Sequence, residues 1–261
     1  MAGEATAGTK VCVLGRGGDD GHEWVAKLPT DWLCLQQFAA QYASSVATFE
    51  SMIPVALSRI PDENGAIVQL LNGLNQLLQN TAISSVTGFF EAPMLHDWRD
   101  VVPRMVSALS EFNQQAAAPL KHVGFKFRTG GLTPETIPTV EQLAWVIACC
   151  RDAGLPWKAT AGLHHPFRHE NAALGASFHG FLNVLTADIL AAVHHLDETR
   201  ISEILDDTNP SHFTFTDHAL QWHDLQATVD QFSQRRLTTI GSCSISEPVE
   251  DLHNLKLLPL E

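Results

Sequence analysis

Two hydrophobic rhythms alternate along the chain. Val11-Cys12-Val13-Leu14 is a short apolar run closed by glycines at 15, 17 and 18, as a buried parallel strand followed by a turn would be. Helical spacing follows from Trp32 to Ala43, and a second strand is expected over Val46-Ala47-Thr48-Phe49-Glu50, stopped near Pro54. Ile67, Leu70, Leu71, Leu74, Leu77 and Leu78 recur at three and four residues and predict an amphipathic helix. A third strand is expected over Val86–Glu91, ending before Pro93, with Val101, Met105, Leu109 and Phe112 marking the helix behind it. The fourth strand is the clearest, because Val123, Phe125 and Phe127 alternate with Gly124, Lys126 and Arg128 before the turn Thr129-Gly130-Gly131. Its helix carries Val140, Leu143, Ile147 and Cys150 and ends at Gly154 and Pro156. Trp157-Lys158-Ala159-Thr160 reads as a fifth strand running into a loop crowded with reactive groups, and Leu237–Gly241 as a last strand running into Ser242-Cys243-Ser244.

The first five strands start roughly 35 to 40 residues apart, the length of one strand–helix unit, and the alternation predicts a parallel sheet. The gap before the last strand is about twice as long, so a hidden strand is expected near Gly180-Phe181-Leu182-Asn183-Val184. Seven strands result, one short of a closed eight-stranded barrel. The fold expected is α/β, a TIM-like β/α barrel occupying 1–261 as a single domain, incomplete or open at its first strand unless Met1 to Lys10 replaces it. An open seam exposes strand edges and makes a homo-oligomer conceivable.

Composition narrows the classes. A formal charge of −13 without a basic run disfavours a nucleic-acid partner. No apolar run approaches the ~20 residues of a membrane span, and the first ten residues lack the apolar middle of a signal peptide, so a cytoplasmic location is expected. Five cysteines without a Cys-x-x-Cys pair suggest reduced thiols rather than a disulfide framework.

In a barrel one strand face meets the helices and the other points inward, toward a C-terminal mouth that holds the active site. Glu50, Glu91, Lys126, Arg128, Lys158, Thr160, His164, His165, Ser242 and Ser244 all lie at or just past expected strand ends. Lys126, Arg128 and Lys158 on neighbouring strands would demand anions. These are supplied either internally by Glu50 and Glu91 or by a small anionic substrate, phosphate or carboxylate, in which case one lysine is tuned to attack a carbonyl. Lys158 is favoured for that role, with Arg128 as anion hook. Gly130-Gly131 and the Gly241–Ser244 loop could cradle a phosphate. His164 or His165 would carry protons, while His164, His165 and His169 with Glu170 offer the alternative of a metal. Cys243 reads as a small buried thiol, with a nucleophile beside His164 as the alternative. His194, His195, His212, His218 and His223 read as solvated. No cofactor is called for.

Two resemblances enter here. Lys158-Ala159-Thr160-Ala161-Gly162 is similar to the Lys-Thr-Ser-Thr-Gly stretch bearing the Schiff-base lysine of deoxyribose-phosphate aldolases, over about five residues and without that family's second lysine motif or catalytic aspartate. The resemblance implies Lys158 as nucleophile with Lys126 or Arg128 depressing its pKa. More broadly, Lys126-x-Arg128-x-Gly130-Gly131, the segment from Lys158 to Pro166, His179-Gly-Phe-Leu-Asn183 and Gly241-Ser-Cys-Ser through Glu247-Pro248 with Asp251-Leu252 resemble a family of bacterial β/α-barrel proteins, which implies these site residues, Asn183 among the substrate-binding ones, and no particular reaction. The leading expectation is an aldolase-like lyase acting on a small anionic, phosphorylated carbonyl compound by lysine-assisted carbon–carbon cleavage or enolisation, with Glu91 as acid–base or orienting group. The alternatives are a metal-dependent hydrolase or isomerase using His164 and His165, and a non-catalytic ligand-binding or assembly barrel.

Overall fold

The computed structural model describes residues 10–17, 20–42, 45–54, 64–79, 85–92, 94, 97–115, 120–244 and 246–258. Two compact units divide the chain, Met1–Lys126 and Phe127–Glu261. The first holds β1 (Lys10–Leu14), α1 (Gly21–Tyr42), β2 (Ser45–Met52), α2 (Asn64–Gln79), β3 (Val86–Glu91), α3 (Trp98–Gln115) and most of β4 (Leu120–Arg128). The second holds the end of β4, then α4 (Val140–Asp152), β5 (Trp157–Thr160), β6 (His169–Asn171), β7 (Ala176–Phe178), α5 (Phe181–His194), α6 (Glu198–Asp206), β8 (Phe213–Phe215), β9 (Ala219–Trp222), β10 (Leu225–Thr228), β11 (Leu237–Gly241) and α7 (Ser246–Asn254).

The parallel strands are hydrogen-bonded in the order β1-β2-β3-β4-β5-β11, which makes the protein a mixed α/β chain with an open, barrel-like sheet. Among the described residues β1 and β11 are the edges, so six strands are present and a closed eight-stranded barrel is not. Residues 1–9 of the Met1 to Lys10 stretch expected to replace a strand lie outside the described residues. The strand expected at Gly180–Val184 is instead the start of α5, with Gly180 as its N-cap. An apolar run reads the same in a buried strand and a buried helix. Here Val184, Ala187, Leu190 and Ala191 are all buried, and the Ala- and Leu-rich continuation carries the run well past strand length. The stretch between β5 and β11, where one further strand–helix unit is expected, also holds a β6-β7 hairpin and the antiparallel meander β8-β9-β10.

Local signals account for most boundaries. The first helix begins at Gly21, eleven residues before Trp32, because it runs through Pro29 without ending there. Val101, Met105, Leu109 and Phe112 of α3 are fully buried on one stripe. A capping box opens α4, where Thr139 Oγ1 accepts from Gln142 N–H and Gln142 Oε1 accepts from Thr139 N–H. It closes at Gly154 with φ +65°, where the Leu155 N–H returns to the Cys150 carbonyl.

Inside the second unit, Asp188 of α5 is a buried carboxylate that ties the strands down. Its Oδ1 accepts from the Trp157 indole at 2.6 Å, and its Oδ2 accepts from the Arg236 and Leu237 N–H groups at 2.9 and 2.8 Å. Burial pushes its pKa up, against the pull of these donors. The starts of β5 and β11 are thereby fixed to one helix, and their ends carry the groups described next. No described helix is long and apolar enough to cross a membrane.

Candidate active site

Glu91 and Lys126 are register partners on β3 and β4. The Lys126 ammonium lies 3.1 Å from Glu50 Oε2 and 3.3 Å from Glu91 Oε2, with all three residues buried, and the Cys12 thiol donates to Glu50 Oε1 at 2.7 Å. An ammonium at this depth is tolerated because two carboxylates surround it. Of the two alternatives for Lys126, the structure places internal neutralisation by Glu50 and Glu91.

In the second unit Trp157 and Ala159 are fully buried, so Lys158 and Thr160 share the half-buried opposite face of β5. The chain then turns sharply. Ala161 and Gly162 both take left-handed backbone, φ +67° and +75°, which disfavours a residue with a Cβ such as Ala161. Ala161 is held there from both sides: its N–H donates to the Gly241 carbonyl at 3.2 Å, and its own carbonyl accepts from the Thr129 hydroxyl at 2.5 Å. Gly130 packs backbone to backbone on Gly162, where a Cβ on Gly130 would meet Gly162 Cα at 2.6 Å, and a Cβ on Gly131 would strike Thr136 Oγ1 at 2.0 Å. Close packing therefore explains both glycines before any phosphate does.

The turn delivers His164 and His165 to α7. His164 Nδ1 lies 2.7 Å from Glu247 Oε2, and His165 Nδ1 pairs with Asp251 Oδ2. Adjacent histidines thus reach carboxylates four residues apart, on one face of one helix. A carboxylate accepts, so Nδ1 of His164 carries the proton and Nε2 is left as a base. That Nε2 faces the Cys243 sulfur at 3.4 Å. Cys243 is exposed, which corrects its reading as a buried thiol; it sits, as expected, on the loop after β11. His169 stands edge-on to His165 with ring centres 4.2 Å apart. Burial lowers the His169 pKa, although the Phe167 carbonyl bonded to its Nδ1 pulls the other way.

These groups line a cleft of about 700 Å³ whose wall includes Arg128, Gly130, His164, His165, Cys243 and Glu247. Arg128 is therefore at the cleft, as are both glycines, whereas Lys158, Thr160, Ser242 and Ser244 are not among its lining residues. Ser242 Oγ accepts from Ser244 N–H, and Ser244 Oγ accepts from Glu247 N–H and so caps α7. Asn183 is buried: its Nδ2 donates to the Ile204 and Asp207 carbonyls and its Oδ1 accepts from Arg168 N–H. Its carboxamide braces α5 against the end of α6. Among the described residues, His164 and His165 do not join a metal-sized cluster; such a grouping forms at Asp207, His212 and His223.

The partners Glu247 and Asp251 escaped the reading of catalytic residues because they lie 83 and 86 positions from their histidines. Their four-residue spacing, one helical turn, was the available signal. No protein-family model, curated protein or solved structure matches the chain, so the chemistry is argued from this geometry.

Proposed function

We propose that the cleft is a thiol-dependent active site for acyl transfer or hydrolysis of a small anionic carbonyl compound. The observation that carries this reading is the chain Cys243–His164–Glu247, in which a thiol, a base and an orienting carboxylate stand in sequence at hydrogen-bonding distances. His164 Nε2 takes the thiol proton, and the thiolate attacks the carbonyl carbon. The imidazolium returns that proton to the leaving group as its bond to carbon breaks, which leaves an acyl thioester on Cys243. Water, deprotonated by the same nitrogen, then attacks the thioester; the acid departs and the proton goes back to sulfur. Arg128 on the cleft wall supplies a guanidinium suited to a carboxylate or phosphate on the substrate, and His165, braced by Asp251, supplies a second donor.

Alkylation by iodoacetate and iodoacetamide, mapped by mass spectrometry, tests the reading. Cys34 is an exposed thiol in the same chain and serves as reference. Cys243 is expected to react at least about tenfold faster than Cys34 near neutral pH, with a preference for the anionic reagent that Arg128→Ala removes, and His164→Asn should abolish the advantage. Equal rates at the two cysteines, unaffected by His164→Asn, would sink the thiol reading.

A second reading retains lysine-assisted carbon–carbon cleavage or enolisation through Lys158. It is favoured by the placement of Lys158 and Thr160 together on the half-buried face of β5. Borohydride reduction in the presence of small phosphorylated aldehydes distinguishes it: an adduct on Lys158 favours the lysine, and none with a compound that binds removes it.

A further inference from the structure

Away from the cleft, two imidazoles approach one carboxylate oxygen, that of Asp207, all three residues lying within a short stretch of the chain. Asp207 follows the last residue of α6, His212 ends a 3-10 turn before β8, and His223 occupies the turn between β9 and β10. Asp207 Oδ2 lies 2.8 Å from His212 Nδ1 and 3.8 Å from His223 Nε2, and the two imidazole centres are 4.3 Å apart. His223 is held at φ +48°, off the ordinary backbone region for a residue with a Cβ. One donor atom from each residue falls within 4.8 Å of the others. Ligands bound tetrahedrally at 2.0 to 2.1 Å stand about 3.3 Å apart, a spacing bracketed by the 2.8 and 3.8 Å separations. The group opens onto a surface cleft lined by Arg200, Glu203, Asp206 and Trp222, which leaves room for a water as a further ligand.

Outer contacts already orient the carboxylate. The Trp222 indole donates to Asp207 Oδ2 at 2.8 Å, and the Asn209 N–H donates to Oδ1 at 2.9 Å. One contact works against a metal. Asn209 Oδ1 accepts from Ser211 N–H, so its Nδ2 must be the group 3.0 Å from His212 Nε2; Nε2 accepts and Nδ1 carries the proton. Coordination through Nδ1 would expel that proton and move the ring's hydrogen to Nε2, where Asn209 would have to turn away. An acceptor in place of that amide would suit the metal-bound tautomer better.

We infer that Asp207, His212 and His223 form a binding site for a divalent cation of the zinc class, tying the end of α6 to the β9–β10 turn. Two imidazoles and one carboxylate match the preference of such ions for nitrogen with one hard oxygen. This site is independent of the thiol chemistry, and its failure would leave that reading untouched.

The experiment uses the full chain without an affinity tag, titrated with zinc against a chromophoric chelator. One equivalent is expected to bind, with affinity reduced at least about tenfold by His223→Ala or His212→Ala, unchanged by His164→Asn, and raised by Asn209→Asp, whose carboxylate accepts from Nε2–H. Cobalt(II) added to the unmodified protein should broaden the ring resonances of His212 and His223 before those of His164 and His165, a readout that does not depend on any variant folding. Absence of stoichiometric binding, cobalt broadening confined to the His164–His165 pair, or zinc affinity indifferent to both histidine substitutions would overturn the site.

Discussion

The two units handle ionisable side chains in opposite ways. In the first, Lys126 is enclosed with Glu50 and Glu91, and its charge is answered by protein groups on β2 and β3. In the second, His164 and His165 are each paired with a carboxylate on one side and remain partly exposed, with side chains 26% and 46% accessible. A charge closed in by its own counter-ions does little but hold a fold together, whereas a base oriented from behind and open in front is arranged to act on something else. Strand-end position alone does not separate the two; what separates them is where the partner comes from.

The largest expected effect lies on the enclosed side. Lys126→Met leaves two buried carboxylates without their ammonium and should cost about 3–5 kcal/mol in denaturant unfolding, whereas His164→Asn, at the open cleft, should change stability by about 0.5 kcal/mol or less. Equal losses from both would erase the contrast. The second unit has its own sealed residue, His179, fully buried with its Nε2–H directed at the Pro138 carbonyl at 2.9 Å and its pKa pulled down to about 4, chiefly by burial. The unfolded chain, with an ordinary value of 6.5, takes up that proton first. Stability from neutral His179 is therefore whole above pH 6.5 and is lost as pH falls toward 4, by about 3 kcal/mol in all. His179→Gln should flatten that part of a stability–pH curve, and an unchanged slope would show that other groups cause it.

Smaller effects sharpen the cleft. Glu247→Gln keeps the shape of the orienting group and removes its charge, and should slow Cys243 alkylation about tenfold, close to 1.4 kcal/mol, while the melting temperature holds. A stability loss without a change in rate would make Glu247 merely structural. Ala161→Gly relieves the left-handed strain and should raise stability by up to about 1 kcal/mol; a loss instead would mean that the methyl group contributes packing.

How far the sequence revealed this depends on the range over which each signal acts. Val123, Phe125 and Phe127 alternate within one strand, so β4 itself was legible from local period alone. Phe181–Val184 was misread because α5 is buried on most sides, with Asn183, Thr186 and Asp188 buried alongside its apolar residues, and no amphipathic period survives to announce a helix. His164 and His165 were found by their position after a strand, yet Cys243 was undervalued and Glu247 and Asp251 were not linked to them, since pairing across more than 80 residues leaves no mark in a window of ten. His212 and His223 were read as solvated; both are partly exposed, but Asp207 draws them together, and that convergence exists only in three dimensions.

One consequence concerns α7. Glu247 and Asp251 are a single helical turn apart, about 6 Å along the axis, so the two histidine pairs cannot be adjusted one at a time by moving that helix. Any displacement of α7 withdraws both supports in the same motion. The last helix thus acts as an interlock for the cleft, engaging or releasing its two imidazoles as one.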